Sequence, residues 1–129
     1  MVVPADRPPN HPRVLVVDDD PAMCSLLDKA LSARGYTVAT VPHGAAALDL
    51  VRHFHPAVVL LDLGMPVMDG RSFAELYSAA ARPAASIIVM SGNADIAQQA
   101  AQIGAVDALR KPFGLDRLFA ALANCLAAA

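Results

Sequence analysis

The sequence predicts an α/β chain built on an open, doubly wound parallel sheet. Three observations lead there. Five short apolar runs rich in β-branched residues recur along the chain. They are continuous rather than alternating, as in strands covered on both faces. Between them lie stretches with the i, i+3, i+4 spacing of amphipathic helices. Strands alternating with helices imply parallel pairing, and right-handed crossovers then place helices on both faces of the sheet.

The elements follow in order. Val14–Val17 is the first run. Asp20 is placed to cap the helix that follows, and Pro21 suits its first position. Met23, Leu26, Leu27, Ala30 and Leu31 form that helix's stripe, with Gly35 as its stop. Thr37–Val41 is the second run. Ala47, Leu50, Val51 and Phe54 carry the second stripe, closed by Pro56. Val58–Leu61 is the third run. Asp69 and Gly70 read as a turn and cap for a third stripe, Phe73, Leu76, Tyr77 and Ala80, which ends before Pro83. Ile87–Met90 precedes a fourth stripe, Ile96, Ala100 and Ile103, stopped by Gly104. The weaker run Val106–Leu109 precedes the last stripe, Leu115, Leu118, Phe119, Leu122 and Leu126.

A length of 129 residues suits one domain with one core. A net charge of −2 gives no sign of bulk nucleic-acid binding. No apolar run approaches the ~20 residues that cross a bilayer, and the opening MVVPADRPPNHPR lacks the apolar core of a signal peptide. Four of the ten prolines fall in the first twelve residues, so residues 1–12 read as a flexible arm ahead of a domain over residues 13–127. Cys24 and Cys125 form no CxxC pair. They read as reduced, apolar fillers in a cytoplasmic protein.

In doubly wound sheets, ligands bind outside the carboxyl ends of the strands. There the sequence places Asp18, Asp19 and Asp20 after the first run, Asp62 after the third, Ser91 after the fourth and Lys111 after the fifth. Singly, these residues have ordinary readings: a solvated acidic loop, a turn, a cap, a surface lysine. Together they gather at one sheet edge. Carboxylates held together repel unless a cation neutralises them, and Mg²⁺ prefers oxygen ligands and bridges readily to phosphate. Lys111 can offset the charge of a transferred phosphoryl group, and the Ser91 hydroxyl can donate to one of its oxygens. The chemistry suggested is phosphoryl transfer to a carboxylate.

Four segments, VLVVDDDP, LLDLGMPVMDG, VMSGN and LRKPF, stand in order along the chain. Over roughly Pro12 to Leu126 the sequence resembles the receiver domains of two-component response regulators. That resemblance implies a flavodoxin-like sheet of order 2-1-3-4-5. It implies Asp62 as phosphoacceptor, with Asp18, Asp19, Asp62 and the Gly64 backbone carbonyl as Mg²⁺ ligands. It further implies Ser91 as the switch hydroxyl and Lys111 as the conserved-type lysine, with a cis peptide like Lys111–Pro112 frequent in the family. The partners implied are a histidine kinase or histidine phosphotransfer protein as donor. A downstream protein would bind at the face formed by the Ile96–Ile103 helix, the fifth strand and the last helix. Self-phosphorylation and self-dephosphorylation are then its only chemistry.

Three positions depart from the family pattern. Ala108 stands where relatives often carry Tyr or Phe, Gly64 lies two residues after the acceptor, and Asn93 two after the switch serine. The last two positions tune the lifetime of the phosphorylated state in the family. The chain ends soon after the last helical stripe, which fits a stand-alone regulator or a fragment of a larger one. Two other readings stay open: a small Mg²⁺-dependent aspartyl phosphatase, and a docking-only pseudo-receiver.

Overall fold

The computed structural model describes residues 11–64 and 85–127. The third helical stripe and Asp69–Gly70 lie outside them, as do residues 1–10 of the expected arm. The described strands are β1 (Arg13–Val17), β2 (Thr37–Val41), β3 (Val58–Asp62), β4 (Ser86–Ser91) and β5 (Asp107–Arg110). The described helices are α1 (Pro21–Ala33), α2 (Gly44–Phe54), α3 (Ile96–Ile103) and α4 (Leu115–Ala127). All strand pairs are parallel, as the strand–helix alternation predicts, and the sheet order is β2-β1-β3-β4-β5, as the family resemblance implies.

The helix ends are set by local chemistry. Asp20 caps α1 by accepting from the Ala22 amide, with Pro21 at the first position. Gly104 ends α3 at φ 83, a left-handed conformation that glycine adopts without penalty. At the end of α2, His55 holds the same region at φ 51.

Successive strand residues point to opposite faces of a sheet, and that alternation sorts the core into two layers. Leu15, Val17, Val59, Leu61, Ile87 and Val89 pack with Ala47 of α2 and with Ile96 and Ala100 of α3. Val14, Val16, Val58, Leu60, Ile88, Met90 and Leu109 pack with Leu27 and Leu31 of α1 and with Leu118, Ala121 and Leu122 of α4. Each fully buried Leu, Ile or Val contributes about 1.5–3 kcal/mol. The α1 stripe is narrower than its spacing suggests, since Leu26 is half exposed while Leu27 and Leu31 are buried. Cys24 and Cys125 are free and pack against the α1 and α4 layer. Among the described residues, no helix is long and apolar enough to cross a membrane.

Candidate functional site

The sheet reverses its winding between β1 and β3, where ligand crevices form in such folds. Val17 pairs with Leu61, so Asp18 and Asp62 leave adjacent strands at one level. Asp62 pairs with Met90 and Ser91 with Arg110, which brings Ser91 and Lys111 to the same edge. Side-chain parity then divides the group. Asp18 follows Val14 and Val16, Asp62 follows Val58 and Leu60, and Lys111 follows Leu109, all on the α1 and α4 side. Ser91 follows Ile87 and Val89 onto the α2 and α3 side.

The contacts follow that division. Lys111 Nζ donates to Asp18 Oδ2 at 2.9 Å and stands 3.7 Å from Asp62 Oδ1. The other Asp18 oxygen accepts the Asp20 amide at 2.9 Å, and Asp62 Oδ1 accepts the Gly64 amide at 3.2 Å. Asp18 is 1% exposed and Asp62 7%, while Asp19 reaches into solvent. Ser91 Oγ accepts the Asn93 amide at 3.1 Å, and its carbonyl accepts the Lys111 amide at 2.8 Å. The Lys111–Pro112 peptide is cis.

The electrostatics are unbalanced. Carboxylate oxygens of Asp18, Asp19 and Asp62 all lie within 4.8 Å of one another. Among the described residues, three carboxylates face one ammonium, which leaves two negative charges unanswered. Burial pushes the Asp62 carboxyl above the usual carboxylate range, with Asp18 and Asp19 adding to the rise. The Gly64 amide and Lys111 offset only part of it. Burial works against the Lys111 charge, yet Asp18, Asp62 and Asp19 together carry its ammonium above the ordinary lysine value. An all-oxygen donor set with two surplus charges suits a hard divalent cation such as Mg²⁺. At Gly64 an added side chain would meet Asp62 Oδ1 at 3.9 Å, so glycine leaves that flank of the acid open.

Asp18, Asp19, Asp62 and Lys111 therefore do converge, whereas Asp20 caps α1 and Ser91 stands at the neighbouring strand end with its side chain on the opposite face of the sheet. The sequence reading missed a cleft beside them. It is about 470 Å³ and runs from Asp18 and Asp19 along Cys24 and Asp28 of α1 to Thr40, Val41 and Pro42. Cys24 and Asp28 stand four apart on α1, a spacing that puts them on one helix face and was available as a signal. The Cys24 thiol donates to the Asp18 carbonyl at 3.2 Å, and burial with the nearby acids pushes it up, away from thiolate reactivity.

Comparison with known proteins agrees with this geometry. The family model described as the response regulator receiver domain matches residues 14–123. The chain is 40% identical over 111 residues to the transcriptional regulatory protein KdpE of Mycobacterium tuberculosis, covering 84% of this chain and 48% of that protein. It is 35% identical over 107 residues to the regulatory protein AtoC of Escherichia coli, covering 82% and 23%. The chain thus spans about half, or less, of the length of these curated relatives. Among solved structures, the response regulator receiver domain from Bermanella marisrubri superposes with a TM-score of 0.81 at 34% identity, covering 88% of this chain and 97% of that one. The chemotaxis protein CheY4 of Vibrio cholerae gives 0.80 at 26% identity, covering 88% and 98%.

Proposed function

This chain belongs to the response regulator receiver family of two-component systems, and from that premise we propose that Asp62 accepts a phosphoryl group from a phosphohistidine donor. The observation that carries the proposal is the acid cluster itself. Asp62 is one of three close carboxylates, with Lys111 Nζ already 3.7 Å away.

In the step proposed, an Asp62 oxygen attacks the phosphorus of the donor. The new P–O bond makes an acyl phosphate as the P–N bond to the donor imidazole breaks. Asp18, Asp19, Asp62 and the Gly64 carbonyl would hold Mg²⁺. The ion, when bound, supplies charge neutralisation and orients the phosphoryl oxygens. Lys111 then trades its contact with Asp18 for the incoming phosphoryl charge. Ser91 swings its hydroxyl from the Asn93 amide toward a phosphoryl oxygen, carrying the start of the loop before α3 with it.

A histidine kinase or histidine phosphotransfer protein is the donor in this reading, and a downstream protein reads the face of α3, β5 and α4. The outer side of α3 supports such a face, since Ala97, Gln98, Ala101 and Gln102 are exposed and uncharged. Ala108 carries no ring to reorient, so the signal travels there as a backbone movement. A partner reads the switch only if it binds the two states differently. The proposal also places the protein in the cytoplasm, with residues 13–127 as the receiver domain and no catalysis beyond its own phosphorylation and dephosphorylation.

The test is intact-mass measurement after incubation with acetyl phosphate and Mg²⁺. One acid- and base-labile phosphoryl group is expected on the native chain and none on Asp62→Asn. Equal labelling of that variant would refute the assignment, and multiple turnover of small phosphomonoesters would favour a phosphatase.

A further inference from the structure

Two helices leave the active edge of the sheet with side-chain caps of different chemistry. Asp20 caps α1 through a carboxylate oxygen. His43 caps α2 through its ring, Nδ1 accepting the Ala46 amide at 3.1 Å from an extended backbone at φ −161. A ring nitrogen that accepts from an amide must be unprotonated, so the proton of the neutral ring sits on Nε2. Adding a second proton turns Nδ1 into a donor facing a donor. It also sets a cation at the positive end of the helix dipole. The first turn of α2 holds no acidic residue to compensate.

The position gives the cap its reach. Val41, two residues before His43, accepts the Asp18 amide at 3.1 Å. Thr40, Val41 and Pro42 form the far wall of the cleft that begins at Asp18 and Asp19. α2 packs against β1 and β2. β2 has no ionisable residue, and β1 carries Arg13 at its far end, with Asp18, Asp19 and Asp20 following its near end. α2 itself carries Asp49, Arg52 and His53.

We propose that His43 is a proton-sensitive cap, whose protonation releases the start of α2 and loosens the β2–α2 junction bordering the acid cluster. Imidazole is the side chain that ordinarily changes charge between about pH 5 and 8, which sets the range to test. Asparagine is among the preferred cap residues and does not titrate. The experiment compares the native chain with His43→Asn from pH 8 to 5.5, by thermal melting and by amide hydrogen exchange corrected for intrinsic rate. The two should melt alike at pH 8. At pH 5.5 the native chain should melt about 3–6 °C below the variant, with faster exchange at Ala46 and Asp18. A melting difference that stays constant with pH overturns the proposal. So does a difference that grows while the Ala46 amide stays protected, and an Ala46 response without one at Asp18 overturns the coupling to the site.

Discussion

At the start of β5, Asp107 meets Arg117 of α4, with two nitrogen–oxygen contacts of 2.7 and 3.2 Å. Just past its other end, Lys111 meets Asp18 and Asp62. The first cluster matches one acid to one base near the surface. Its carboxyl is held below the usual range, chiefly by the Arg117 hydrogen bonds. The second, among the described residues, crowds three acids around one base, and burial lifts the Asp62 carboxyl instead. One short strand thus joins a self-contained ion pair to a cluster that awaits more positive charge. Groups of the same types are stabilising in one place and destabilising in the other, decided by count and burial.

Removing Lys111 should give the largest effect. Lys111→Met leaves Asp18, whose side chain is fully buried, without its cation. The loss expected in urea unfolding of the metal-free protein is about 2–3 kcal/mol. A cost no greater than that of removing Arg117 would erase the contrast between the two ends of β5.

Asp62→Asn should act in the opposite direction and stabilise the metal-free protein, by less than the loss of Lys111 costs it. A carboxyl whose folded value is raised favours folding only while protonated, and that advantage is lost as pH rises through the raised value. The gain from Asn should therefore be full near neutrality and vanish as pH falls into the ordinary carboxylate range. Millimolar Mg²⁺ should stabilise the native chain by mass action and cancel the variant's advantage. Melting curves across pH, with and without the ion, decide it, and a variant that is less stable at pH 7 without metal contradicts the account.

The smallest effect belongs to Arg117→Ala. Both partners are substantially exposed, so the pair is worth about 0.2–1 kcal/mol and less at high salt. Its sign with pH is the reverse of Asp62. A carboxyl held low contributes above its unfolded value and loses that contribution as pH falls through the depressed folded value. Stability gaps between native and Arg117→Ala proteins, measured at low and high salt, should shrink with both salt and acid. A gap indifferent to both points to packing of the arginine stem instead.

These contrasts mark where the sequence was legible. The described strands lie within one residue of their apolar runs at either end, because β-branched continuity and strand-end acids are local signals. Asp20, Pro21 and Gly104 were readable as helix punctuation for the same reason. Gathering Asp18, Asp62, Ser91 and Lys111 at one edge needed only the rule that chemistry sits at strand ends. The ion pairs were harder. Lys111 and Asp18 are 93 residues apart, and their contact depends on strand order and register together. The Asp107–Arg117 pair depends on how α4 crosses β5. The His43 cap was missed because histidine is not among the usual cap-forming residues, and the exposure of Leu26 because its spacing on the helix fits either side of the buried stripe.

The parity of the strands has a further consequence. Asp18, Asp62 and Lys111 open toward α1 and α4, whereas Ser91 and Ala108 belong to the layer of α2 and α3. Among the described residues, the central strands β1, β3 and β4 fill the middle of the sheet with buried valine, leucine, isoleucine and methionine, which hold no polar path through it. Among the described residues, the two layers meet chemically along the rim, one residue beyond the last apolar pair. Substitutions beneath α3 and substitutions beside α1 therefore act on separate packing neighbourhoods, and such changes combine almost additively. A lineage carrying this architecture can revise what one side of the sheet recognises while the other side keeps its vocabulary, so long as the few residues on the rim are left alone.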